Sequence, residues 1–307
     1  TGKPSPGGIR AVAASPAVRR FAREVGVDVS KVSGSGPRGR ISVEDVKNFL
    51  KNAQVQTAPP RTGTALALPD FSRFGEISRE PFSNVRRATA EHLSAAWANV
   101  AHVTNHDSAD VTRLEGLRKR FSETAEVAGG KLTVTAIALK IAAAALKKFP
   151  KFNAAIDVAN QEIIYKSYFN IGVAVDTERG LLVPVVRDVD KKSIVQLSVE
   201  LKEFAEKARS GKISLDDLQG GCFTITNLGG IGGTNFTPIV NYPEVAILGL
   251  SRSSIQPVFV GGEFEPRRIL PLSLSYDHRL IDGADAARFL RWVANAFEEP
   301  FLLALDG

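Results

Sequence analysis

The 307-residue chain is 44% hydrophobic and 23% charged, a balance ordinary for a globular protein with room for one large domain and a smaller one. No apolar run approaches the roughly 20 residues of a membrane span, no secretory or transit signal is visible, and the lone cysteine, Cys222, excludes an intrachain disulfide framework or a Cys-based zinc site. The net charge of +6 is confined: residues 1–51 hold ten Lys or Arg against four Asp or Glu, and the rest balances at 29 against 29. That asymmetry points to a local docking surface and not to a general affinity for polyanions. The lack of methionine predicts a processed chain or part of a longer one. A single cysteine suits a reducing compartment, the bacterial cytoplasm or the mitochondrial matrix.

Residues 1–9 read as linker. Ser15 is a good N-cap and Pro16 suits the first helical position, with Val18, Phe21, Ala22 and Val25 following at helical spacing. Arg19 and Arg23 lie four apart and share another face of this helix, with Arg20 beside them. Gly26 ends it, "VSGSGPRGR" is a glycine-rich loop, and Ser42 opens a second helix with Asp45 as its capping-box acid. Residues 10–51 are thus expected to form a small all-α domain. Residues 52–70, rich in Ala, Pro and Thr, read as a flexible tether able to reach about 60 Å when extended. From residue 71 to 307 the elements alternate. Helices are predicted over Ser83–Trp97, Val134–Lys148, Ser193–Arg209 and Asp285–Glu298. Strands are predicted over Val103–Asp110, Ile163–Phe169, Ile171–Asp176, Leu181–Arg187, Cys222–Thr226, Val245–Ser251 and Leu270–Tyr276, with "DTERG" as a turn. This is an α/β domain with a mixed sheet.

Two segments carry candidate chemistry. In "LSLSYDHRLIDG" the apolar alternation of a half-buried strand ends in Asp277, His278, Arg279 and, before a glycine, Asp282. An imidazole is the side chain best suited to move a proton near neutral pH, so His278 is either a general base or a hydrogen-bonding residue at a strand exit. Asp282 is either a plain N-cap of the helix that follows or a carboxylate that orients the base or pairs with an arginine to fix the loop. His92, His102 and His106 read as structural or solvated. No histidine pair has a metal-binding spacing, so no metal site is expected. In "CFTITNLGGIGGTNF" a strand runs into a turn with four glycines. It lacks the GK[ST] ending of a phosphate loop and the GxGxxG of a dinucleotide site. The loop suits close approach of backbone or ligand. Thr226, at the strand exit, is either an oxyanion donor or an ordinary β-branched strand residue.

"YDHRLIDG" resembles the HxxxD-G signature of the acyltransferase family that includes chloramphenicol acetyltransferase and the dihydrolipoyl acyltransferases. "FTITNLGGIGG", "GLLVPVVRDVD" and "FTPIVNYPEVAILGLSR" resemble the dihydrolipoyl acyltransferase catalytic domain, and "SPAVRRFAREVGVDVSKVSGSGPRGRISVEDV" resembles its peripheral subunit-binding domain. The resemblance covers nearly the whole chain, in the family's order. "HVTNHDSADVT" is most similar to the acetyl-transferring branch, the core of the pyruvate dehydrogenase complex.

That resemblance implies a chloramphenicol acetyltransferase-like fold and acyl transfer between the thiols of dihydrolipoamide and coenzyme A. His278 then matches the general base, Thr226 the hydroxyl donor to the tetrahedral oxyanion, and Asp282 the motif aspartate that supports the site. It implies homotrimers whose active sites lie at the subunit interface, assembling into a core of 24 or 60 copies, with "PFLLALDG" docking between trimers. For Arg19, Arg20, Arg23, Arg38 and Arg40 it implies docking of dihydrolipoamide dehydrogenase or the decarboxylase component. For the residues alone a solvated face is the usual reading of such a cluster, and no aromatic interleaving or reading helix supports nucleic acid. A lipoyl domain, which the family carries ahead of the small domain, is not found in this chain. A succinyl or branched-chain specificity and a non-catalytic recruiting scaffold remain the alternatives.

Overall fold

The computed structural model describes residues 14–56, 68–177 and 180–306. Contacts divide the chain into two units, the first ending at Arg79 and the second starting at Glu80. The expected leading linker and residues 57–67 of the expected tether lie outside the described residues. Among the described residues no helix is long and apolar enough to cross a membrane.

In the first unit, α1 (Pro16–Glu24) begins where Ser15 and Pro16 predict, with Ser15 Oγ accepting from the Val18 N–H at 3.4 Å. Helix α2 (Val43–Gln56) opens on a reciprocal cap: Ser42 Oγ accepts from the Asp45 N–H at 3.2 Å and the Asp45 carboxylate accepts from the Ser42 N–H at 2.9 Å. The same carboxylate accepts from the backbone and hydroxyl of Ser35, which stitches the glycine-rich loop to the helix. These donors hold Asp45 well below the usual carboxylate range. Helix α2 runs past Lys51 into the stretch expected to be tether. Asn52 to Gln56 contain neither Gly nor Pro, and the first proline beyond them is Pro59, so nothing local stops the helix earlier. Val18, Ala22, Val27, Val32, Ile41 and Val46 close a small core between the elements.

The second unit contains, in chain order, α3 (Asn84–Asn99), β1 (His102–Asp110), α4 (Thr112–Arg120), α5 (Ser122–Val127), α6 (Val134–Lys148), β2 (Ala154–Asp157), β3 (Glu162–Tyr165), β4 (Ile171–Val173), β5 (Val175–Thr177), β6 (Gly180–Leu182), β7 (Val185–Val186), α7 (Ile194–Arg209), β8 (Phe223–Asn227), β9 (Ala246–Leu250), β10 (Ser254–Val260), β11 (Glu263–Asp277), α8 (Gly283–Glu298) and α9 (Leu302–Asp306). Its main sheet runs β1-β11-β9-β8-β4-β7, with β10 paired to β11. β8 lies parallel to both β4 and β9, and the other pairs are antiparallel, so the sheet is mixed. One face packs Phe223, Ile225, Leu248, Leu250, Leu272, Leu274 and Tyr276 into a continuous core with α6 and α8. Phe289 of α8 stacks on Phe152 at 4.0 Å.

Several strands differ from the sequence reading. The stretch Ile171–Asp176 divides into β4 and β5, and Leu181–Arg187 into β6 and β7. β5 pairs with β6 in a separate hairpin, whereas β4 and β7 join the main sheet. The reason is tertiary: one apolar run serves two sheets. The Ile163–Phe169 strand shortens to β3, paired with β2. The strand read as starting at Leu270 begins at Glu263 instead, because β10 pairs with its first half. β11 is also buried on both faces near its end. Ser273 and Ser275 are as inaccessible as the leucines between them, and they bond to His106 Nδ1 at 2.9 Å and Thr104 Oγ1 at 2.7 Å.

The first unit offers a direct test of how little slack its core has. A Cβ on Gly34 would lie 2.3 Å from the Gly39 carbonyl oxygen and under 3 Å from the Arg40 backbone. Backbone cannot swing aside as a side chain can, so Gly34→Ala is expected to cost about 1–3 kcal/mol. Hydrogen exchange should show lost amide protection in the first unit and unchanged protection in the second. Full protection in both would show that the loop accommodates the methyl group.

Candidate active site

The placement of His278 follows from how β11 ends. The Asp277 N–H donates to the Val245 carbonyl at 2.9 Å, and the His278 N–H donates to the Ala101 carbonyl at 2.9 Å. The base candidate is thus hung between the residue before β9 and the residue before β1. Its ring is exposed, lies 5.8 Å from the Tyr276 ring, and makes no hydrogen bond among the described residues. Asp277 fixes the turn that follows. Only 2% of it is accessible, and its carboxylate accepts from Arg279 Nε at 2.9 Å, from a terminal guanidinium nitrogen at 2.6 Å and from the Arg279 backbone at 3.1 Å. Its carbonyl accepts from the Leu280 and Ile281 N–H groups.

Within the single chain Asp282 neither bonds the base nor pairs with an arginine, and the carboxylate that binds an arginine and holds the loop is Asp277. Asp282 does occupy the N-cap position of α8, and its carbonyl accepts from the Ala286 N–H. Its side chain makes no capping bond, is exposed, and touches neither His278 nor Arg279 through a hydrogen bond. Its charge acts on the buried Tyr276 phenol and on Lys151, raising both pKa values as a lesser cause.

Thr226 lies at the exit of β8, half-buried, with its hydroxyl unpartnered among the described residues. The loop beyond it is tightly organised. Asn227 donates to Thr135 Oγ1 at 2.9 Å and accepts from the Gly229 N–H at 2.8 Å. Arg252 donates to the carbonyls of Gly229, Gly230 and Ile231 at 3.2, 3.4 and 3.1 Å. Gly232 and Gly233 take φ of 156° and 82°, where a side chain would be strained. Arg252 was not visible as a site residue, since nothing in the sequence connects it to a loop more than twenty positions earlier.

His278 and Thr226 do not meet within one chain. Thr226 is registered with Gly249, and Gly249 with Ser273, whereas His278 follows Asp277, the last residue of β11. Five residues along the strand and two strands across separate them by roughly 20 Å. Because β8 is parallel and β11 antiparallel to β9, the two exits lie at opposite ends of the sheet.

The other titratable residues have structural roles in the chain. His102 Nε2 accepts from the Val240 N–H at 3.0 Å, so its proton sits on Nδ1, facing the Val100 carbonyl at 3.1 Å. His106 bonds Ser273, and His92 Nε2 bonds Asn241 Oδ1 at 2.9 Å. Cys222 is fully buried, its thiol donates to the Asn170 carbonyl, and burial pushes its pKa up to about 12, far from thiolate chemistry. Glu244, 3% accessible, accepts from the Thr224 hydroxyl at 2.7 Å and from Asn241 Nδ2 at 3.2 Å.

In the first unit Arg19, Arg20, Arg23 and Arg40 are exposed, and Arg19 and Arg23 border a groove of about 450 Å³ with Val27, Asp28, Val29 and Ser30. The side chain of Arg38 lies outside the described residues.

Comparison with known proteins matches residues 74–305 to the model of the 2-oxoacid dehydrogenases acyltransferase catalytic domain and residues 12–47 to that of the e3 binding domain. The dihydrolipoyllysine-residue acetyltransferase component of the pyruvate dehydrogenase complex from Cupriavidus necator is 50% identical over 293 residues, covering 91% of this chain and 53% of that protein. The corresponding component from Azotobacter vinelandii is 51% identical over 299 residues, covering 94% of this chain and 47% of that protein. The chain therefore spans about half the length of these curated relatives. Among solved structures, Azotobacter vinelandii dihydrolipoamide acetyltransferase superposes with a TM-score of 0.76 at 51% identity, covering 78% of this chain and 98% of that one. The cubic core of a pyruvate dehydrogenase multienzyme complex gives a TM-score of 0.76 at 50% identity with the same coverage. In the Azotobacter protein the catalytic mechanism was investigated through a serine, a histidine and an asparagine. Those three are separated by the same intervals as Thr226, His278 and Asp282 here.

The buried carboxylate makes the second unit's stability depend on pH. Burial raises Glu244 from an ordinary 4.5 to about 7, against the pull of Thr224, Lys166 and Asn241. A raised folded-state pKa contributes stability that is full below pH 4.5 and lost as pH rises to about 7. Glu244→Gln should abolish that part of the loss, so its unfolding midpoint should fall less than the parent's between about pH 5 and about pH 8. An equal fall in both proteins, followed by urea denaturation, would count against a buried, titrating Glu244.

Proposed function

The chain belongs to the 2-oxoacid dehydrogenase acyltransferase family, and on that basis we propose that it moves an acetyl group between the thiol of dihydrolipoamide and that of coenzyme A, as the core of a pyruvate dehydrogenase complex. The observation that carries this reading is the spacing of Thr226, His278 and Asp282, shared with the residues investigated in an acetyltransferase of 51% identity. His278 takes the proton of the attacking thiol, whose ordinary pKa near 8.5 is within reach of an imidazole. The thiolate attacks the thioester carbonyl and forms a tetrahedral oxyanion. The Thr226 hydroxyl donates to that oxygen, in place of the serine of the Azotobacter protein. Collapse expels the second thiolate, which recovers the proton from His278.

The roughly 20 Å between the two exits supports an active site completed by a second copy, with His278 from one subunit and Thr226 from its neighbour in a homotrimer. Asp282 supports the site from the N-cap of α8. Similarity to a cubic core favours trimers assembled into a cube. Phe301 and Leu305, each 66% exposed, beside an apolar cavity of about 710 Å³ lined by Leu117, Phe121 and Ile137 among others, suit a tail that docks between trimers. The first unit, matched by the e3 binding domain, recruits dihydrolipoamide dehydrogenase or the decarboxylase component through Arg19, Arg20, Arg23, Arg38 and Arg40. The bacterial relatives support action in the cytoplasm.

Catalysis is tested by offering free dihydrolipoamide with acetyl-, succinyl- or isobutyryl-CoA. Acetyl transfer is expected, lost by roughly a hundredfold or more in His278→Ala. Mixed particles of His278→Ala and Thr226→Ala subunits should regain activity, because some interfaces then combine an intact histidine with an intact threonine. Unchanged activity in His278→Ala would falsify the base assignment, mixing without recovery would refute the shared site, and no transfer from any donor would favour a recruiting scaffold.

Assembly is tested separately. Deletion of Phe301–Gly307 is expected to leave trimers that no longer form large particles, as seen by sedimentation. Intact particles after the deletion would assign the tail to its own subunit.

A further inference from the structure

The segment that carries His278 is held through backbone by Val245 and Ala101, at the end of the β1–β11 ladder, where Asp277 is registered with His102. One buried side chain stands behind both anchors. Val245 directly follows Glu244. Ala101 lies between α3 and β1, and α3 is tied by His92 to Asn241 Oδ1 at 2.9 Å. Asn241 donates to the Glu244 carboxylate at 3.2 Å and to Thr224 Oγ1 at 3.3 Å, and Thr224 on β8 donates to the other carboxylate oxygen at 2.7 Å. The Glu244 N–H returns to the Asn241 carbonyl at 3.0 Å. A Cβ at Gly221 would approach Glu244 Oε1 to 2.8 Å, so the carboxylate fits against bare backbone. The carboxylate thus ties β8 to the 241–245 turn, and Asn241 carries the link on to α3, behind the base.

We propose that Glu244 is a positioning residue for His278, holding both backbone anchors of the Asp277–His278 segment in register through its ionised carboxylate. The inference rests on the reading of His278 as the base. The hydrogen-bond pattern suits the charge. Thr224 and Asn241 both point donors at the carboxylate, and bonds to an ionised acceptor are the stronger ones. A protonated Glu244 carries a hydrogen on one oxygen, so the Thr224 hydroxyl must turn from donor to acceptor there, and the lock weakens. The groups that act on it are Lys166, whose charge favours the ionised form, His92 through Asn241, and Cys222, buried and neutral, before β8. Burial moves this ionisation towards neutrality.

Two groups must then be deprotonated for full activity. The logarithm of kcat for acetyl transfer to free dihydrolipoamide should rise on its acid side with a slope approaching two. Glu244→Gln cannot offer two acceptor oxygens. It should lower kcat about tenfold at neutral pH, leave both KM values within about twofold, and reduce the slope to one. Thr224→Val, which removes one donor to the carboxylate, should instead shift the acid limb to higher pH. It serves as the test should Glu244→Gln fail to assemble. A Glu244→Gln enzyme with near-parental kcat or a retained slope of two overturns the proposal, as does an unmoved acid limb in folded Thr224→Val. Failure of the base assignment itself shows elsewhere, as full activity in His278→Ala.

Discussion

The antiparallel pairing of β11 with β9, set beside the parallel pairing of β9 with β8, governs what this molecule can do. A strand carries chemistry most readily at its exit, where the chain leaves the ladder and side chains escape the packed faces. The sheet sends the exits of β8 and β11 to opposite ends, so Thr226 and His278 stand apart inside one subunit. On the proposed reading, with His278 as base and Thr226 as oxyanion donor, the reaction brings two copies into contact. The unpartnered imidazole and hydroxyl are what a single chain of such an assembly should present.

The middle of the sheet shows how the exits are kept in place. β11 reads as amphipathic, yet its serines are as buried as its leucines. A buried hydroxyl without a partner is costly, and here Thr104 and His106 on β1 supply one each. The polar face is therefore a set of cross-strand bonds that fixes the register of β1 on β11. Glu244 extends the same principle to the end of the sheet nearest His278. Its burial carries a desolvation penalty, and in return it ties β8 to the turn that leads into β9.

The first unit is built to different limits. Its core is a handful of aliphatic residues, and much of its definition comes from the Asp45 carboxylate, which gathers donors from Ser35 and Ser42. Arg19, Arg20, Arg23 and Arg40 remain on the surface. An excess of basic over acidic residues on a small unit favours fast, electrostatically guided encounter over tight burial.

Helix starts were legible because capping is local: Ser15, Ser83, Thr133 and Ser193 each accept from a backbone N–H three residues on. The mixed α/β class, the small helical unit and the crowd of polar residues around His278 were equally visible, since periodicity and residue type carry them. The division of Ile171–Asp176 between two sheets, the β10 hairpin and the burial of Ser273 and Ser275 were not, because each depends on a strand far away in the chain. The roles inside the His278 turn divide in the same way. By itself the sequence determined that a histidine and two carboxylates would stand together at a strand exit. Only the tertiary structure decided that Asp277, and not Asp282, binds Arg279, that Glu244 closes a buried network behind them, and that Thr226 leaves the sheet at its other end. Strand direction and burial set those outcomes, and neither is a property of any local stretch of residues.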